Sequence, residues 1–168
     1  MKQLKQYCKI VNKKIFYQGL ALAAIITFLD LLSKELIFAY LADKPYQGVY
    51  VFPFFNLVTV WNSGVSFGMF KDLAAGQYIF TALALAIAIF LIFWLANEKT
   101  PKLSFALSLV IGGAFGNIID RIINGAVADF LDFHIFGYHW PAFNLADSSV
   151  TIGALILIYF EFKKPKTS

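Results

Sequence analysis

Four apolar runs dominate the chain: Ile15–Leu41, Tyr78–Ala96, Leu103–Ile123 and Ala142–Phe160. Each holds about 19 residues or more, and a rise of ~1.5 Å per residue makes that ~28 Å, enough to cross the hydrocarbon core of a bilayer. Inside lipid a backbone has no water to bond, so each run is expected to be an α-helix. Composition agrees. Hydrophobic residues make up 60% of the chain and charged residues only 14%, too little charge to cover a soluble surface. The expected fold is membrane all-α, a single domain over residues 1–168 with four transmembrane helices.

The first run has a basic start and an Ala-rich stretch, ALAA at 21–24, as a cleavable signal peptide does. Its length, and the three runs that follow, favour an uncleaved anchor. The single cysteine, Cys8, permits no intrachain disulfide and has no metal-type partners nearby. The net charge of +4 does not point to nucleic acid. The lysines flank the apolar runs, where they set orientation and meet anionic lipid.

Those lysines are one-sided. Lys2, Lys5, Lys9, Lys13, Lys14, Lys99, Lys102, Lys163, Lys164 and Lys166 share one side, against Lys44 and Lys71 on the other. The bias puts both termini in the cytoplasm and residues 42–77 and 124–141 on the outer face. In the first outer segment, NLVTVW is β-prone and NSG is a turn signal. A small sheet is expected there, lying on the outer membrane surface, with aromatics such as Trp61 at headgroup level. The second outer segment carries Asp129, Asp132, His134 and His139.

Charge in hydrocarbon is costly, so each polar group near the runs needs a reason. Asp30 and Lys34 are four residues apart, acid first, and read as a pair on one helix face. Asn117, Asp120 and Arg121 form one stripe, at i, i+3 and i+4. The preceding GGAFG lets another helix approach closely. Asn144 and Asp147 are again three apart, which puts Asp147 about five residues, or ~8 Å, into the fourth run. Runs three and four are antiparallel neighbours, so these groups converge at one depth near the outer face, with Asp129 on the connection.

The residue types narrow the chemistry. There is no His-x-Glu spacing and no cysteine set, so a zinc site is not expected, and His134 and His139 read as interfacial. Ser148 and Ser149 lack a basic partner for nucleophilic catalysis. Carboxylates remain. Two aspartates sharing a proton can activate a water and protonate a carbonyl. Asp129 and Asp147 are the best-placed pair, and Asp120, beside Arg121, reads as a brace. The alternative is a membrane transporter or proton-relay protein using the same acids, or a structural subunit in which they are interhelical glue. Against a relay, the acids gather on one side and the second run has none.

Four blocks, DLLSK at 30–34, WNSGVSFG at 61–68, GGAFGNIIDRIINGAVADF at 112–130 and PAFNLADSSVTIG at 141–153, resemble the lipoprotein signal peptidases, or signal peptidase II. The resemblance covers nearly the whole chain. It implies an aspartyl endopeptidase of the bacterial cytoplasmic (inner) membrane that cuts prolipoproteins before a diacylglyceryl-modified cysteine. It makes Asp129 and Asp147 the catalytic pair. Asn62, Asn117, Asp120, Arg121 and Asn144 match positions that shape the site, and Asp30 matches an acidic support position. Ser66 and Ala128 depart mildly from the family pattern, without removing a reactive group. No metal, cofactor or nucleic acid is implied. The implied partners are prolipoprotein substrates and membrane lipid, and a monomer is expected.

Overall fold

The computed structural model describes residues 12–44, 48–63 and 76–163. Cys8, Ser66, Lys71 and the lysines at 2, 5, 9, 164 and 166 lie outside the described residues, as does the glycine of the NSG turn. Within the described residues four helices are long and apolar enough to cross a membrane: α1 (Lys13–Leu41), α2 (Gly76–Asn97), α3 (Pro101–Asn124) and α4 (Leu145–Phe162). They match the four runs read from the sequence to within a few residues. The largest difference is the start of α4, which begins at Leu145 rather than Ala142.

The helix boundaries have local causes. Asn12 caps α1 by accepting from Ile15 N at 3.2 Å. Pro101 opens α3, where its missing N–H costs nothing. Gly125 ends α3 in the left-handed region, at φ 71°, and its N–H bonds Arg121 O at 3.1 Å. That reversal turns the chain directly into the next strand.

Helix α3 is the most buried of the four and packs against all three others. Ala23, Leu91, Leu95, Leu107 and Ile111 form the apolar core where α1, α2 and α3 meet. Association inside lipid depends on close packing rather than on exclusion of water. The GGAFG block supplies it on two sides. A Cβ at Gly112 would lie 2.7 Å from Ala23 O of α1, and one at Gly113 would collide with Ala146 O of α4. The large apolar side chains left exposed, such as Phe28, Leu36, Phe90 and Phe93, point outward from the bundle.

A four-stranded antiparallel sheet, in order β1-β2-β3-β4, caps one end: β1 (Gly48–Phe52), β2 (Phe55–Asn62), β3 (Val127–Ile135) and β4 (Tyr138–His139). The expected strand NLVTVW is β2. The sheet is larger than the sequence implied, because the second outer segment contributes β3 and β4 rather than a bare connection. Strand β3 pairs with β2, so the chain passes through α2 and α3 between two neighbouring strands. A two-residue turn, Phe136–Gly137, with positive φ at both positions, joins β3 to β4.

Candidate active site

Five elements bring the polar residues together: the sheet ends of α1 and α3, strands β2 and β3, and the first turn of α4. Asn144 is the N-cap of α4, and Asp147 is its third helical residue. Asn144 Oδ1 accepts from Asp147 N at 2.9 Å, and Asp147 Oδ2 accepts from Asn144 N at 3.3 Å. This reciprocal capping box fixes the Asp147 carboxyl at the helix mouth. Asp147 therefore sits in the first turn, not about five residues inside the span as the sequence reading held. The reading began the helix too early, at Ala142.

Asp129 is not on a loose connection. It lies in β3 opposite Val60, and its side chain is 1% exposed. Asn62 Nδ2 donates to its Oδ2 at 3.0 Å, and Asn144 Nδ2 donates to its Oδ1 at 2.7 Å. Asn144 thus touches both candidate carboxyls. Its Nδ2 also lies 3.2 Å from Asn117 Oδ1 and 3.3 Å from the Ala128 carbonyl. Asn117 completes the ring by donating to Asp147 Oδ1 at 2.8 Å. Burial pushes the Asp129 carboxyl up to about 6, and the charge of Asp147 acts in the same direction. The amide bonds from Asn62 and Asn144, and the charge of Lys34, pull the other way.

Behind this ring lies a buried ion cluster centred on Lys34. Its Nζ is 2.6 Å from Asp30 Oδ2, 2.9 Å from Asp120 Oδ2 and 3.0 Å from Asn117 Oδ1. The two aspartates are its ion-pair partners, and Asn117 Oδ1 accepts a hydrogen bond from it. Asp30 and Lys34 do form the expected pair within α1, but the pair also reaches α3. Asp30 Oδ1 accepts from Ala146 N at 2.8 Å, which ties α1 to α4. A Cβ at Gly116 would collide with the Asp30 carboxylate, so this glycine makes room for the charge.

Among the described residues Asp120 contacts α1, the end of its own helix and the strand beyond, rather than bonding Arg121. Besides Lys34 it accepts from Ala128 N at 3.0 Å and from Asn124 Nδ2 at 3.1 Å. It therefore pins the start of β3, one residue before Asp129, to the end of α3. Arg121 Nη1 contacts only the backbone carbonyl of its own helix, Asn117 O, at 3.5 Å, and its Nε is buried without a hydrogen-bond partner among the described residues. Asp147, Asp129 and Asp120 all lie within electrostatic reach of the guanidinium.

All eight residues singled out in the sequence thus fall into this one connected region. The sequence reading missed the reach of Lys34 and a second cluster in the sheet. In that cluster Asp132 accepts from Asn56 Nδ2 at 2.9 Å and lies 2.8 Å from His139 Nδ1, while the His134 and His139 rings stack at 4.7 Å. These contacts tie β4 and β2 to β3. No group of three or more metal-type side chains gathers among the described residues.

Comparison with known proteins identifies the family. The sequence model of the family described as signal peptidase (SPase) II matches residues 22–163. The lipoprotein signal peptidase of Ralstonia nicotianae is 45% identical over 150 residues, covering 86% of this chain and 84% of that protein. That of a Janthinobacterium species is 43% identical over 164 residues, covering 91% and 96%. Two solved structures described as a bacterial membrane enzyme, obtained by the in meso method, share the fold. One, at 2.3 Å resolution, has a TM-score of 0.74 and 31% identity over 90% of this chain and 93% of that chain. The other, at 1.9 Å, has a TM-score of 0.75 and 32% identity over 88% and 94%. With the family match running from within α1 to the end of α4 and taking in the whole polar ring, the chain belongs to the signal peptidase II family.

Proposed function

We propose that Asp129 and Asp147 are the reacting carboxyls of this peptidase. The chain removes signal peptides from prolipoproteins, the reaction of its family, and is a multi-pass protein of the bacterial inner membrane. The cut falls just before the diacylglyceryl-modified cysteine. The observation that carries the assignment is the position of Asn144, which holds Asp129 through its side chain and Asp147 through its backbone.

In this reading the pair shares one proton, held by Asp129, the carboxyl that burial pushes up to about 6. Asp147 takes a proton from water as the oxygen attacks the scissile carbonyl carbon. Asp129 gives its proton to the carbonyl oxygen, and a neutral diol forms. Asp147 then returns a proton to the leaving nitrogen as the C–N bond breaks. Asp129 recovers a proton from one hydroxyl as the new carboxyl forms. Both groups end as they began, and no metal or cofactor is required. Arg121, whose Nε has no hydrogen-bond partner among the described residues, can hydrogen-bond a carbonyl of the extended substrate.

The whole chain acts as one domain and as a monomer, with both termini in the cytoplasm and the sheet on the outer face. The lysine bias supports that orientation. The membrane lies along the four spans, so a lipidated precursor reaches the site laterally.

The test is to incubate the purified protein with a diacylglyceryl-modified precursor and with its unlipidated form, and to sequence the new termini. Cleavage of the lipidated precursor alone, with the modified cysteine as the new first residue, is the expected result. Absence of cleavage, or a cut elsewhere, contradicts the reading.

A further inference from the structure

Helices α1 and α3 leave a groove between them that the reaction does not use. It measures about 440 Å³ and is lined by residues including Leu20, Ala24, Thr27, Phe28 and Phe115. Thr27 is the only polar side chain among the described residues that line it, and its hydroxyl is turned inward to Gly112 O at 2.9 Å. Leu31 and Ile119 close the groove towards the sheet and also line a second cavity, of about 520 Å³. The rim of that cavity carries Glu35, Phe38, Trp61 and Asn124. The two spaces share a wall. Together they are apolar along the helices and polar at the sheet end.

Three observations say what fits. First, the groove lies within two membrane spans, so acyl chains surround it. From Leu20 to Leu31 the helix rises ~16 Å, close to one leaflet's half of a ~30 Å hydrocarbon core. Second, the polar end is negative. Of the charged residues that line it, Lys34 is paired with Asp120, and Glu35 forms no ion pair among the described residues. The half-exposed ring of Trp61, packed at 5.0 Å against Phe38, lines the same cavity. A carboxylate next to an aromatic face suits an ammonium and repels an anionic headgroup. Third, neither Asp129 nor Asp147 lines either space. The pleat explains why. Trp61 and Ala128 line the cavity, while the residues after them, Asn62 and Asp129, bond each other on the other side of the sheet.

We propose that this groove binds one glycerophospholipid with an ammonium headgroup. One acyl chain lies between Ala24 and Phe115, and the ammonium meets Glu35 and Trp61. The site is separate from Asp129 and Asp147 and does not depend on their role.

Native mass spectrometry of the delipidated full-length protein tests this. The probes are phosphatidylethanolamine and phosphatidylglycerol with identical acyl chains. One phosphatidylethanolamine is expected to stay bound, preferred over phosphatidylglycerol by about fivefold, the scale of one partly exposed ion pair. Ala24→Phe fills the groove and weakens retention by about tenfold or more, as overpacking does. Glu35→Gln keeps the lipid but loses the headgroup preference. Thermal unfolding monitors the fold, and if Ala24→Phe melts early, Leu31→Trp at the shared wall replaces it. No retained lipid, no headgroup preference in the wild type, or equal retention by a folded groove-filling variant overturns the proposal. So does a photocrosslinker at position 24 that captures a second copy or a precursor peptide in place of lipid.

Discussion

The Lys34 ammonium lies 2.9 Å from Asp120 Oδ2, across the interface between α1 and α3. The same ammonium holds Asp30, which is fully buried, and Asn117, which holds Asp147. A single cation therefore neutralises two acids and orients the amide that positions a third. Lys34→Met strands two charges in a dry interior. The expected cost is about 3–5 kcal/mol, with activity lost in parallel. Thermal unfolding in detergent measures it, and an unchanged melting temperature contradicts the role. Adding Asp30→Asn to Lys34→Met is expected to recover part of the loss, because one stranded charge is removed.

Asp120→Asn removes the charge that meets Lys34 and weakens the acceptor for Ala128 N. Stability and turnover are expected to fall together, with a stability loss of about 1–3 kcal/mol. A variant that melts normally but does not turn over would show Asp120 to be a reacting group rather than a brace.

Gly113→Ala places a methyl against the Ala146 backbone carbonyl, where no side chain can move aside. The α3–α4 contact must open, at a cost of about 1–3 kcal/mol, and the shift separates Asn117 from Asp147. A lower melting temperature with reduced activity is expected. Wild-type behaviour in both would mean that the helices pack less closely than described.

The raised pKa of Asp129 gives a pH dependence with a definite sign. Its folded value of about 6 lies above the ordinary 3.8, so the folded state binds the proton more tightly. This group's contribution to stability is full below 3.8 and is lost as pH rises to about 6, a change on the order of 2–3 kcal/mol. Activity follows the same proton. The dyad needs one, so kcat/KM is expected to fall as pH rises through an apparent value near 6 that belongs to the pair. A profile of kcat/KM, with unfolding of wild type and Asp129→Asn over the same range, tests both. A flat profile between about pH 5 and 8 contradicts the assignment of the proton.

The parts of this protein visible in the sequence were those set by one-dimensional patterns. Apolar length gave the four spans, and helical spacing gave the stripe of Asn117, Asp120 and Arg121. The i+3 spacing of Asn144 and Asp147 is also visible, and in the structure it is a helix cap. An Asn followed three residues later by an acid, just before an apolar run, is a helix-start signature. Reading it so would have started α4 at Leu145 and kept Asp147 at the mouth. Strand β3 was harder. Val127–Ile135 is buried at its first four positions, because both faces there are covered, so it lacks the alternation that marks a half-buried strand. It also carries two aspartates, which strands disfavour. The partnership of Lys34 with α3 had no local signal. It depends on Gly112 and Gly116, which let α1 and α3 close on one another.

The central claim is that Asp129 and Asp147 act as a pair on water. Its most direct test is the rate of cleavage of a diacylglyceryl-modified precursor by wild type, Asp129→Asn and Asp147→Asn, each checked for folding. The account predicts that both folded variants lose activity by about a thousandfold or more. Near-normal cleavage by either folded variant would contradict it, and Asp120 would then be the next carboxyl to examine.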